Sequence, residues 1–188
     1  MRTHPNLLSA DNSLLVVVDL QTKLTAVMAE SEAKLMTANT VRLLKAAGLL
    51  QMPVLLTEQY PKGLGPTDPA ITDQLPEGAP IFSKTGFSCC AAQGFNAALA
   101  ATQRKQIILT GQETHVCVLQ TALELLHFGY QVYIVEDAVS SRNPVHKITA
   151  LQRMQQQGVT ISNHESVLFE WLRDASHPDF KSISGLLR

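Results

Sequence analysis

Short apolar runs alternate along the chain with longer segments in which apolar residues recur every three or four positions. The run Ser13 to Leu20 (SLLVVVDL) is the clearest of the first kind. A continuous run of leucine and β-branched residues is typical of a central parallel strand that is buried on both faces. Similar runs predict five further short strands, at 53–57, 81–84, 107–109, 131–137 and 159–161.

Helical spacing fills the intervals between these runs. Residues 31–50 place Leu35, Ala38, Val41, Leu44 and Ala47 three positions apart, which predicts an amphipathic helix. Similar patterns predict helices at 91–103, 117–126, 143–157, 164–172 and 179–187. Residues 58–80 are rich in Pro and Gly and are predicted to be irregular; a loop of that length is usually functional. This alternation predicts a single α/β domain over residues 1–188, with three layers and a mostly parallel sheet.

Composition narrows the classes of partner. Hydrophobic residues make up 45% of the chain and charged residues 16%, which suits a large core and leaves room for a buried interface between copies. The net charge is −1 without a basic block, so no nucleic-acid partner is expected. The N-terminal residues lack the pattern of a signal peptide, and no apolar run approaches the ~20 residues of a membrane span. We therefore expect a cytoplasmic protein without a membrane partner.

Three chemically capable side chains follow the ends of predicted strands. In open α/β sheets, ligands bind beyond the carboxyl ends of the strands, and Asp19, Lys84 and Cys117 all fall there. Cys117 begins a helix, whose free N–H groups and dipole favour a thiolate nucleophile. Asp19 can take the thiol proton and return it to a leaving amine, and Lys84 can keep that carboxylate ionised. Backbone N–H groups around Glu113 and Cys117 could bind an oxyanion.

Each of these residues also has a structural explanation when taken alone. The cysteine can be a small buried hydrophobe, the aspartate a helix N-cap and the lysine a solvated surface charge. Their shared position at one sheet edge favours function. Cys89 and Cys90 are predicted to be packing residues, and Asp137, at the end of a predicted strand, to cap a helix or support a pocket. The histidines show no metal-ligand spacing and no nucleotide-binding glycine motif is present, so we expect no metal and no cofactor.

Three motifs resemble those of the isochorismatase-like cysteine hydrolase superfamily, which includes nicotinamidases, N-carbamoyl amidases and isochorismatases. They are VVVDLQ with Asp19, FSKTGFS with Lys84, and LTGQETHVCVLQTALELLHFGYQVYIVEDAVSSR with Cys117. TEQYPKGLGPT and GQETHVCV look most like the isochorismatase domain-containing branch. The resemblance covers about residues 10 to 175. It implies a three-layer α/β/α, Rossmann-like fold with six strands and a catalytic triad of Asp19, Lys84 and Cys117. It also implies a cis peptide at Gln112–Glu113, which turns the Glu113 amide toward the oxyanion, and assembly into a homo-oligomer.

Departures from the family narrow the chemistry. Nicotinamidases bind a metal through histidines after the second strand, where this chain reads Thr57-Glu58-Gln59-Tyr60. True isochorismatases generally lack the cysteine nucleophile. We therefore expect hydrolysis of a C–N bond in a small amide-type molecule through a cysteine thioester. A vinyl-ether hydrolysis led by Asp19, or a non-catalytic binding or scaffold role, is the alternative. The substrate pocket is predicted to be formed by Gln21, Leu24, Tyr60 with the loop to Gly65, Phe87 and His115.

Overall fold

Six parallel strands form one sheet at the centre of the computed structural model, which describes residues 4–188. The strands are β1 Ser13–Val18, β2 Val54–Gln59, β3 Ile81–Lys84, β4 Gln106–Gln112, β5 Gln131–Ser140 and β6 Thr160–Ser162. They lie in the order β3-β2-β1-β4-β5-β6, and every neighbouring pair is parallel. The predicted α/β fold with a parallel sheet is confirmed.

The order of the strands creates a crevice at the carboxyl edge of the sheet. From β1 the chain builds outward to β2 and β3, then returns to β4 on the other side of β1. The crossovers that leave β1 and β4 therefore run in opposite directions, and this switch point is where open α/β sheets bind ligands. All six residues of β1 are buried, as the continuous apolar run predicts for a central strand.

Helices cover both faces of the sheet. The α-helices are α1 Thr22–Thr25, α2 Glu30–Leu49, α3 Pro61–Leu64, α4 Pro69–Thr72, α5 Phe95–Ala101, α6 Leu119–His127, α7 Pro144–Gln156, α8 His164–Leu172 and α9 Phe180–Gly185. One core cluster joins the sheet to α2, α8 and α9, and a second joins its other face to α5, α6 and α7. The predicted three layers are thus present. No helix within residues 4–188 is long and apolar enough to cross a membrane.

The structure corrects the predicted inner face of α2. Leu35 was expected to be in the apolar stripe, but it is 45% exposed, whereas Met36 is 1% exposed. The buried face instead includes Met36, Thr40, Leu43 and Ala47, which are spaced four, three and four residues apart. A helix that turns every 3.6 residues presents this mixed spacing, so a strict interval of three drifts away from the core.

Several predicted boundaries also differ. The helix predicted at 91–103 starts only at Phe95, because a 3-10 turn at Cys89–Ala91 and a left-handed Gly94 precede it. Residues 58–80 contain the end of β2 and the two short helices α3 and α4. Strand β5 continues past Asp137 to Ser140, so Asp137 does not end a strand. Its carboxylate accepts the amide hydrogen of His164 at 2.9 Å in the first turn of α8, in keeping with a capping role.

Gly111 makes the close pairing of β1 and β4 possible. It lies opposite Val18 with a φ of +109°, and a Cβ atom there would lie 2.0 Å from the Val18 carbonyl oxygen. Only glycine fits this position, because no flexible side chain can move aside to relieve the clash. Gly111 therefore allows close pairing of β1 and β4, the strands that precede Asp19 and Cys117.

Candidate active site

The sheet order brings three sequence-predicted residues to one edge. Asp19 directly follows β1 and adopts a left-handed φ of 51°, a conformation that aspartate tolerates better than most residues. Lys84 is the last residue of β3. Cys117 lies in a π-helical turn, Thr114–Val118, that joins β4 to α6. Such turns are rare and are frequently found at functional sites.

Asp19 and Lys84 form a fully buried ion pair. Lys84 Nζ donates to Asp19 Oδ2 at 2.7 Å, and both side chains are 0% exposed. The ammonium also donates to Gln59 Oε1 at 2.6 Å and to the Phe87 carbonyl at 2.8 Å. The second carboxylate oxygen, Oδ1, accepts from the Thr57 hydroxyl at 2.8 Å. Both charges are therefore held in place by hydrogen bonds, as a buried pair requires.

The electrostatic environment of Cys117 differs from the sequence expectation. A helix N-terminus was predicted to favour the thiolate, but burial raises the pKa of Cys117 to about 12. The negative charge of Asp19 contributes to this rise in the pKa, and the Lys84 charge opposes it. Burial dominates because Cys117 is only 6% exposed and its thiolate would be poorly hydrated. The thiol is therefore protonated at neutral pH, next to a carboxylate that can accept its proton.

A cavity of about 600 Å³ opens above Cys117. Its lining is mostly apolar or uncharged, with Glu113 and Arg142 as the charged members. The lining residues are Leu24, Gln59, Tyr60, Leu64, Thr85, Phe87, Glu113, Val116, Cys117 and Arg142. A larger cavity of about 730 Å³ lies near the starts of β2 and β3, but it contains none of Asp19, Lys84 and Cys117. We assign the site to the smaller cavity because it holds the reactive group.

The structure places the five predicted pocket residues in different roles. Leu24, Tyr60 and Phe87 line the cavity. Gln21 is fully buried outside the lining, and its side chain bonds Gln59 N at 2.7 Å and the Gly65 carbonyl at 2.6 Å. It therefore supports the loop that carries Tyr60.

His115 lies outside the lining as well. Its Nδ1 atom is 2.9 Å from Ser141 Oγ, and its ring stands 4.9 Å from that of His146, beside a separate smaller cavity. Burial is the largest cause that lowers the pKa of His115, so the imidazole is neutral at pH 7. His115 lies two positions before Cys117, and that spacing on a helical turn directs the side chains apart.

The peptide bond between Gln112 and Glu113 is cis, as the resemblance implies. The Glu113 amide makes no hydrogen bond to another backbone group within residues 4–188. The Glu113 carboxylate is 9% exposed and lies 3.3 Å from Arg142 Nη1. Gln112 is fully buried and donates to the Asp19 carbonyl at 3.1 Å, which links this turn to the end of β1.

Three residues near the reactive group were not predicted from the sequence. Thr57 and Gln59 were assigned to a strand and a loop, although a polar pair at a strand end is a usable signal. Arg142 was missed because β5 was predicted to end at Asp137, five residues too early to bring Arg142 to this edge.

Cys89 lies directly behind the site. Its Sγ atom is 3.4 Å from Thr57 Oγ1, which itself donates to Asp19. Because the hydroxyl hydrogen is used for Asp19, the Cys89 thiol is the donor in this contact. Burial raises the pKa of Cys89 to about 12, so that hydrogen is retained. Within residues 4–188, no three His, Cys, Asp or Glu side chains cluster to hold a metal ion.

A parallel sheet of this order, with a buried carboxylate–ammonium pair and a thiol at its switch point, defines a Rossmann-like α/β fold with a candidate catalytic site. The chain belongs to the isochorismatase family, since the model of the isochorismatase domain matches residues 13–166. Mouse isochorismatase domain-containing protein 2A is 43% identical over 95% of this chain and 84% of its own length. Isochorismatase family protein 1B of Dictyostelium discoideum is 43% identical over 75% of this chain and 70% of its own length.

Solved structures share the whole architecture. The MAR1 ribonuclease of Caenorhabditis elegans superposes with a TM-score of 0.90 at 38% identity, covering 96% of this chain and 91% of that one. The Escherichia coli YcaC protein, described as an octameric hydrolase of unknown specificity, has a TM-score of 0.90 at 28% identity, covering 100% and 91%. YcaC of Pseudomonas aeruginosa, solved with covalent acrylamide, has a TM-score of 0.88 at 29% identity, covering 98% and 93%.

Proposed function

We propose that this chain is a cysteine hydrolase that cleaves the C–N bond of a small amide-type substrate through a thioester on Cys117. The observation that carries the proposal is the position of a protonated thiol beside a buried carboxylate, itself paired with Lys84, at a largely apolar cavity. A cavity of about 600 Å³ suits a small molecule rather than a polymer. Asp19, Lys84 and Cys117 are the proposed catalytic residues.

The first half of the reaction forms the thioester. Asp19 accepts the proton of Cys117 while Sγ attacks the carbonyl carbon, and the carbonyl oxygen becomes an oxyanion. The amide hydrogens of Glu113 and Cys117 are the proposed donors to that oxygen. As the tetrahedral intermediate collapses, the C–N bond breaks and the proton on Asp19 passes to the leaving nitrogen. The amine departs, and Asp19 is again a carboxylate.

The second half releases the acid. Asp19 takes a proton from a water molecule, whose oxygen attacks the thioester carbon. The C–S bond then breaks, the thiolate recovers the proton from Asp19, and the carboxylic acid leaves. Lys84 takes no part in these proton transfers, because its ammonium hydrogens are donated to Asp19, Gln59 and the Phe87 carbonyl. Its charge pairs with the Asp19 carboxylate and lowers the cost of negative charge on Cys117.

The covalent acrylamide in the related Pseudomonas aeruginosa protein supports an accessible nucleophile on this fold. The octameric relative from Escherichia coli supports the expectation that this chain assembles into a homo-oligomer. We therefore propose that this chain also has an accessible nucleophile and forms a homo-oligomer. We further propose that residues 1–188 form a single domain.

A substrate panel of small amides and N-carbamoyl compounds tests the function. Wild-type protein should release amine or ammonia from at least one compound, and mass spectrometry should find an acyl adduct on Cys117. Cys117→Ala should abolish both signals, and Cys117→Ser should reduce turnover by orders of magnitude. Turnover that persists in Cys117→Ala would refute the thioester mechanism.

The same variants separate the alternatives. Vinyl-ether hydrolysis led by Asp19 would survive Cys117→Ala but not Asp19→Asn, and a scaffold would show no turnover with any compound. Because one structural relative is called a ribonuclease, RNA belongs in the panel. Arg142 is the one cation in the cavity lining among the described residues, which does not suit a polyanion, so we expect no RNA cleavage.

A further inference from the structure

The β4–β5 ladder ends where the proposed oxyanion turn begins. Its last pair is Gln112 with Ser140, and the chain beyond it turns at the Gln112–Glu113 peptide. The next amide of the β5 side, Arg142 N, has no strand residue opposite it. The Glu113 carboxylate takes that place and accepts from Arg142 N at 3.1 Å. This hydrogen bond is partly buried, and a carboxylate acceptor makes it charge-assisted and stronger than a bond between neutral groups.

Two further contacts join the same segments. Arg142 Nη1 lies 3.3 Å from Glu113 Oε1, although the guanidinium is 62% exposed and this contact is weakened by solvent. The His115 imidazole is 2.9 Å from Ser141 Oγ, and both residues are shielded from solvent. Glu113 and His115 flank Thr114 in the turn. Their side chains thus contact Arg142 and Ser141, the two residues that follow β5.

We propose that Glu113 and His115 are positioning residues, whose side chains tie the turn to the end of β5 and so aim the Glu113 amide at the oxyanion. This inference rests on the proposed function. Backbone donors stabilise an oxyanion only when they are held in place before the reaction, since reorientation during catalysis would offset the gain. The Glu113 carboxylate holds the residue that carries this amide. The His115 side chain holds the turn two residues further along the chain.

A comparison of two reactions of Cys117 tests the inference without a known substrate. Acylation by p-nitrophenyl acetate passes through an oxyanion, whereas alkylation by iodoacetamide displaces iodide at a saturated carbon. Both are followed by mass spectrometry of the Cys117 peptide, and the first also by release of p-nitrophenolate. Loss of one oxyanion donor lowers rates by about 10²–10³, so a misaimed donor should cost about 10–100-fold.

We expect Glu113→Ala to lower acylation by that factor while alkylation changes by less than about twofold. Glu113→Gln, which retains an acceptor for Arg142 N, should recover most of the acylation rate. His115→Ala should show a smaller selective loss than Glu113→Ala. Glu30→Ala is the matched control, because it removes an 82% exposed carboxylate that pairs with Lys34 on α2, outside the cavity lining, and should leave both rates unchanged.

The outcomes are distinct. A parallel fall of both reactions in Glu113→Ala and His115→Ala would indicate general structural damage and overturn the inference. Unchanged acylation in both variants would overturn it as well. Thermal unfolding identifies a variant that fails to fold, and if Glu113→Ala is one, His115→Ala against wild type carries the comparison. If the wild-type protein is alkylated but never acylated at Cys117, the proposed function itself fails, and this inference with it.

Discussion

The pH dependence of the wild-type protein and of Asp19→Asn separates two ways in which Cys117 can become a nucleophile. Asparagine has the shape of aspartate and can still accept the 2.8 Å hydrogen bond from Thr57, but it cannot accept a proton. With the pKa of the thiol raised to about 12, only about one molecule in 10⁵ carries a thiolate at pH 7. The ordinary value of 9.0 would give about one in 100. Burial and the Asp19 charge therefore cost a preformed thiolate about 4 kcal/mol.

Removal of the thiol proton during attack avoids that cost. If Asp19 takes the proton in the transition state, the rate should depend little on the thiolate fraction, and a general base of this kind contributes about 10²–10⁴-fold. We expect acylation of wild-type Cys117 by p-nitrophenyl acetate to change by less than about threefold between pH 7 and pH 9. Asp19→Asn should be slower at pH 7 by about 10²–10⁴-fold, with a rate that rises about tenfold per pH unit.

The assay is a single-turnover burst of p-nitrophenolate, corrected for spontaneous hydrolysis and calibrated by the mass of the Cys117 adduct. Cys117→Ala gives the background from other nucleophiles. A wild-type rate that rises tenfold per pH unit would mean that only preformed thiolate reacts. That result would refute the role of Asp19 as the base.

Three further predictions concern the surroundings of the site. Lys84→Met should destabilise the fold by about 3–5 kcal/mol in urea unfolding, because it leaves the buried Asp19 charge unpaired. Adding Asp19→Asn should recover most of that loss. If the losses of the two variants add instead, the unpaired charge is not the cause. Gly111→Ala should prevent stable folding, as judged by circular dichroism, because its Cβ meets a β1 carbonyl oxygen at 2.0 Å, whereas Gly48→Ala, with open space around it, should be neutral or stabilising by up to ~1 kcal/mol. Thr57→Val removes a 2.8 Å donor to the carboxylate and should lower the acylation rate about tenfold; an unchanged rate would show that this hydrogen bond does not position Asp19.

The sequence pattern was sufficient for the architecture and for the three central residues. The β1 run is apolar at five of its six positions, which is typical of a strand buried on both faces near the centre of a parallel sheet. Strand ends are then the natural place for ligands, so Asp19, Lys84 and Cys117 could be grouped although 65 and 33 residues separate successive members. The motifs around them also carried the family resemblance, and the family is confirmed.

Other properties depend on contacts between distant segments, which periodicity does not encode. His115 was expected in the pocket, but its hydrogen bond to Ser141 holds it behind the turn. Arg142 reaches the cavity only because β5 continues to Ser140, paired with Gln112 across the ladder. No local sequence pattern marks that extension, because the last residues of β5 become part of the strand only by pairing with β4, which is distant in sequence.

The protonation state of Cys117 was decided by tertiary structure alone. Its place at a helix start predicted a lowered pKa, because a local dipole can be inferred from neighbouring residues. The structure adds burial and the Asp19 charge, and both act in the opposite direction. Desolvation depends on every segment packed around an atom, so it outweighs the helix end here and can be known only from the folded chain. The sequence by itself determined which groups meet at this site, and the fold decided which of them holds the proton.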